Sequence, residues 1–171
     1  MTAASSIGAF SRLTAAMLRG VAPLSVIKGL DESVNSGTTG TTLQNDDTLL
    51  LPLAANSVYM FLGLTWYTGA AAGTGDIKLG FTWPAGASGW WGGIGNSTAL
   101  AASVSAARNS SGASQPFGSN GGATPMWALL AGQVATSGTA GNLQEQFAQN
   151  TANAANTTVK AGSLLAAWQI G

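Results

Sequence analysis

The chain has no histidine and no cysteine. That removes the usual general base, imidazole and thiolate metal ligands, thiol nucleophiles, and any Ser-His-Asp arrangement. Carboxylates remain: Asp31, Glu32, Asp46, Asp47, Asp76 and Glu145. In an extended segment the adjacent Asp46-Asp47 point to opposite faces. In a loop they are solvated, and no calcium-loop spacing follows them. Asp76 with Glu145 is the pair to weigh for glycoside hydrolysis, which needs two carboxyls within about 5–9.5 Å of each other. No catalytic, cofactor-binding or metal-binding set is expected, and no cofactor.

Three other features bear on binding. Gly73-Thr-Gly-Asp76 precedes a strand pattern and does not open a helix, so it reads as a turn and not a nucleotide loop. Trp90-Trp91 offers an aromatic plate for a sugar or an interface, and in a strand at most one of the two faces the core. Glu145 falls on the same strand face as Leu143 and Phe147, where an ionised carboxylate is costly unless paired. An interface or rim position is therefore expected for Glu145, with Lys160 as one candidate partner.

The elements that must position these residues divide the chain near residue 40. Ile7, Phe10, Leu13, Met17 and Leu18 recur at helical spacing, and Gly20 and Pro23 supply a stop. This predicts a short amphipathic helix over about 7–19 within an N-terminal arm, residues 1–40, with those five residues as its docking face. From residue 41 the pattern is β. Leu49, Leu51 and Leu53 alternate; Val58, Met60, Leu62, Leu64 and Trp66 share one face, while Tyr59, Phe61 and Tyr67 share the other. A strand apolar on both faces lies inside a sandwich or against a neighbouring subunit. Ile77, Leu79, Phe81 and Trp83 are expected to point inward, as are Leu164, Ala166, Trp168 and Ile170 of the closing strand. Residues 84–124, rich in Gly, Ser and Ala, hold short strands or a helical turn around Leu100–Arg108. Short strands with Gly-rich turns and no βαβ alternation spell an all-β protein. Residues 41–171 are expected to form a single β-sandwich, with a jelly roll as one form of it, and six tryptophans supply much of its core.

Charged residues make up 7% of the 171 residues, six basic against six acidic. No basic stripe exists for phosphates, so nucleic-acid binding is not expected. The longest apolar run, Val58–Tyr67, is half of what a spanning helix needs, and no membrane association is expected. The start lacks the basic and apolar regions of a secretory signal. So little charge, at zero net, favours self-association.

Thr42-Leu-Gln-Asn-Asp-Asp-Thr-Leu-Leu-Leu-Pro-Leu-Ala-Ala-Asn-Ser57, Gly75-Asp-Ile-Lys-Leu-Gly-Phe-Thr-Trp-Pro-Ala-Gly-Ala87, Gln144-Glu-Gln-Phe-Ala-Gln-Asn-Thr151 and Thr157-Thr-Val-Lys-Ala-Gly-Ser-Leu-Leu-Ala-Ala-Trp168 carry a resemblance. The chain resembles, over about residues 41–171, small β-structured virion proteins of tailed bacteriophages, of the head-decoration or minor tail type. The resemblance implies a non-enzymatic virion component, foremost a capsid decoration protein on the capsid exterior. Its implied partners are the major capsid protein and its own copies, preferably as a trimer. The alternative is a minor tail or fibre module that binds a host glycan through Trp90 and Trp91.

Overall fold

The computed structural model describes residues 22–35, 37, 40–69, 75–98 and 108–171. The predicted helix at 7–19, and the docking residues Ile7, Phe10, Leu13, Met17 and Leu18, lie outside the described residues. Among the described residues there is no helix. Eleven strands form two antiparallel sheets: β1 (Leu24–Ile27), β2 (Glu32–Val34), β3 (Gln44–Leu53), β4 (Val58–Thr68), β5 (Ile77–Thr82), β6 (Ser88–Ile94), β7 (Ser114–Phe117), β8 (Met126–Ala135), β9 (Gly141–Gln149), β10 (Thr157–Val159) and β11 (Leu164–Gln169).

The larger sheet runs β6-β8-β4, and the free edge of β4 is filled end to end by β11 and β10, which carry β1 and β2 beyond them. The smaller sheet has the order β3-β9-β5-β7. From β3 to β9 each successive strand lies in the opposite sheet, so no two consecutive strands of that run pair with each other. The described part of the first 40 residues is woven into the larger sheet, β1 on β11 and β2 on β10.

Alternation sets the core. Leu49, Leu51 and Leu53 point inward from β3, Ile77, Leu79 and Phe81 from β5, and Leu143 and Phe147 from β9. Phe61, Phe81 and Trp91 cross the core edge to face, with ring centroids 4.9 and 5.3 Å apart. Of the two apolar faces of β4, Tyr59, Phe61 and Tyr67 are buried, and Val58, Met60, Leu62, Leu64 and Trp66 look outward. Lys160-Ala161-Gly162-Ser163 turns β10 into β11, with Gly162 at φ +89°, where a side chain would be strained.

Two expectations are corrected. On β11 the smaller face goes in: Leu165 and Ala167 are buried, while Leu164 pairs with Leu64 and Trp168 with Met60 on the outer face. The tryptophans are not mostly core either. Trp91 is 1% exposed, whereas Trp90 and Trp127 are 49% and 47% exposed. Pairing with the outward row of β4 draws the bulky residues to the outside of the larger sheet.

Candidate functional site

Charge is concentrated at one end of the sandwich. The loop joining β1 to β2 presents Lys28, whose Nζ donates to Asp47 Oδ1 at 2.7 Å, Glu32 Oε2 at 2.8 Å and Asp46 Oδ1 at 2.9 Å. Asp46 is buried, against the expectation of two solvated loop carboxylates; its Oδ1 also accepts the Thr48 and Leu49 amides. Burial works against the Lys28 charge, but the bonds to Asp47, Glu32 and Asp46 outweigh it and hold the ammonium above the usual lysine range. Lys28 pulls Asp47 down to about 2, whereas burial pushes Glu32 up. The three carboxylates stand close enough to ligate a metal, with oxygens within 4.8 Å of one another. The Lys28 ammonium is already bonded to all three. Chemically this is a clamp: it fastens the β1–β2 loop of one sheet to β3 of the other and so holds β1 at the margin of the larger sheet.

Glu145 is a core residue and not a rim one. It is fully buried on β9, opposite Phe81, and accepts a hydrogen bond from Thr65 Oγ1 at 2.6 Å. Its Oε2 has no hydrogen-bond partner among the described residues and lies near Gly63, where an added Cβ would stand 3.5 Å away. Burial pushes the carboxyl up to about 8, against the smaller opposing pull of Thr65, so it is held protonated at neutral pH. Lys160, the expected partner, pairs instead with Asp31. The Asp76–Glu145 pair is not assembled. In register, Ile77 stands opposite Gln149 and Phe81 opposite Glu145, which places Asp76 five residues along the ladder, about 17 Å away. Asp76 is buried and accepts the Ser119 amide at 2.8 Å.

Trp90 and Trp91 separate as alternation requires. Trp91 enters the core, and its indole N–H donates to Ser110 O at 3.3 Å. Trp90 faces outward with the Arg108 guanidinium 4.0 Å from its ring centroid. A recess of about 220 Å³ beside it is lined by Gly89, Trp90, Arg108, Asn109 and Ser110.

The feature of greatest extent is the outer face of the larger sheet. Across β6, β8, β4, β11 and β1 the register aligns Ile94, Leu129, Leu64, Leu164 and Ile27 in one row. The next row is Gly92, Ala131, Leu62, Ala166 and Ser25, and the third is Trp90, Gln133, Met60 and Trp168. Trp66 and Trp127 pair beyond the first row. No outward residue on these five strands is charged. The smaller sheet differs: its outward positions include Lys78, Thr82, Asn142 and Gln146. The sequence signalled this surface through β4, apolar on both faces, but Met60, Ile94 and Trp127 were not singled out as site residues. Lys28 was missed too, although Glu32 four residues on and the Asp46-Asp47 doublet were its visible counterparts.

No family model matches the chain, and no curated protein matches it. Among solved structures, the chain overlaps that of infectious bursal disease virus, Gx strain, at a TM-score of 0.24 and 15% identity, over 88% of this chain and 36% of that one. The VP2 subviral particle of the same virus gives 0.22 and 12%, over 88% and 37%. The Gt strain gives 0.22 and 14%, over 85% and 40%. The chain thus spans little more than a third of the viral chains it matches. Overlap this loose carries no functional argument.

Proposed function

We propose that this chain is a non-enzymatic structural component of a virus particle, foremost a capsid decoration protein that works by burying area against its own copies and a shell protein. The outer face of the larger sheet carries this reading. It is five strands wide and uncharged, with Met60 53%, Trp90 49%, Ile94 44% and Trp127 47% exposed. Contiguous apolar patches of this kind mark protein interfaces. Two further observations support it. The order β3-β9-β5-β7 opposite β6-β8-β4, with successive strands alternating between sheets, supports a jelly roll. Zero net charge leaves little repulsion between crowded copies. Many weak contacts on a repeating lattice then add up to firm attachment.

The glycan-binding alternative rests on the recess beside Trp90, where Arg108, Asn109 and Ser110 offer hydrogen bonds. It is the weaker reading, because Arg108 lies over the ring face a sugar would stack on. The deciding experiment is imaging of purified particles with this chain labelled. Density on the shell supports decoration, density on the tail supports the alternative, and absence from the particle defeats both.

A further inference from the structure

We infer that the outer face of the larger sheet is a homotypic interface, and that its occupant is the same face of a second copy of this chain. The inference rests on the structural-protein reading above and names the contact that reading leaves open.

Area is the first argument. Five strands span four gaps of about 4.8 Å, and the rows from Val58 to Trp66 span eight residues of about 3.4 Å, a footprint of roughly 500 Å². Two such faces together remove about 1,000 Å² from water, the threshold for a specific interface. A patch of this size is at the upper end of what single subunits leave facing water, and such patches mark interaction sites.

Relief is the second. The row Gly92, Ala131, Leu62, Ala166 and Ser25 is a trough of small side chains relieved only by Leu62. It runs between a ridge of Ile94, Leu129, Leu64, Leu164 and Ile27 and one of Trp90, Gln133, Met60 and Trp168. A two-fold axis across the strands, between trough and Ile/Leu ridge, seats each copy's ridge in the other's trough. The same patch then serves both subunits, as closed pairing requires. Packed sheets lie about 10 Å apart, a gap that leucine and isoleucine side chains fill.

Charge is the third. With no ionised group on the face, a charged macromolecule finds no complementary charge there, whereas an identical apolar face meets no repulsion. Arg108 lies at the β6 margin over Trp90 and leaves the trough clear.

Sedimentation velocity of the full chain, from about 1 to 100 µM, tests the pairing. We expect a species of twice the 17.0 kDa chain mass. Ala131→Glu, at an exposed position in the trough, should weaken pairing at least a hundredfold while the chain keeps its folded circular dichroism spectrum. Met60→Lys serves if Ala131→Glu fails to fold, and Asn142→Glu on the opposite sheet should leave pairing intact. A wild type that stays monomeric at 100 µM, or a folded Ala131→Glu chain that still pairs like wild type, overturns the inference. Co-sedimentation with particles is scored separately. A chain that pairs but never binds particles defeats the virion reading and leaves this contact standing; a monomer that binds particles does the reverse.

Discussion

Glu145 and Lys28 are two solutions to the same problem, an ionisable group buried in a protein with few charges. Glu145 solves it by staying protonated. Its folded pKa of about 8 lies above the ordinary 4.5, so the folded state holds a proton the unfolded state releases. The stability this gives is full below about pH 4.5 and drains away as pH rises through 8. The expected slope is on the order of 1.4 kcal/mol per pH unit across that window. Glu145→Gln, neutral in both states, should flatten the decline. Chemical denaturation of both chains at pH 5, 7 and 9 checks this, and parallel curves would show that Glu145 is not the group responsible. Lys28 solves it by pairing. Lys28→Met leaves the buried Asp46 carboxylate and its neighbours uncompensated and should cost about 3–5 kcal/mol near pH 7. The loss should shrink as the medium is acidified and the Glu32 and Asp47 carboxylates take up protons. Urea melts across that range measure it.

At the scale of elements, β4 and β11 decide what faces water. Both are apolar on both faces, so alternation identified them as strands, left the inward side of β4 open and favoured the side of β11 that turns out to face outward. Register settles it: Leu165 and Ala167 lie against the core, and Trp168 lies beside Met60 outside. Leu165→Ala should therefore cost about 2–4 kcal/mol of folding stability, more than Trp168→Ala. A costlier Trp168→Ala would reverse the assignment. At the β6–β8–β4 junction Gly132 admits no side chain, since a Cβ there would stand 2.5 Å from Phe61 Cζ and 2.6 Å from Trp90 O. Gly132→Ala should cost about 1–3 kcal/mol by overpacking, read from thermal melts. Strands with one polar face were more legible. Ile77, Leu79 and Phe81, set against Lys78 and Thr82, declare their inward side because an apolar residue opposite a polar one leaves a single favourable orientation.

For the whole molecule, the uneven split of polarity between two sheets matters most. One outer face carries the lysine, asparagine and glutamine that keep it wet; the other is a wall of leucine, methionine and tryptophan. Association through that wall should be nearly indifferent to ionic strength, changing by less than about threefold between 50 and 500 mM salt. Sedimentation at the two ionic strengths checks it, and a steep loss at high salt would point to ionic contacts elsewhere.

The sequence by itself determined the all-β class, most strand positions, the absence of histidine and cysteine chemistry and the poverty of charge, since these follow from local periodicity and composition. Only the tertiary structure decided the sheet order, because strands from β3 to β9 alternate between sheets and pair with partners distant in sequence. It also decided that Glu145 is core, that Lys28 joins three carboxylates separated by up to 19 residues from it, and that most tryptophans look outward. Each of those outcomes depends on which segments become neighbours, and a two-residue period carries no information about neighbours.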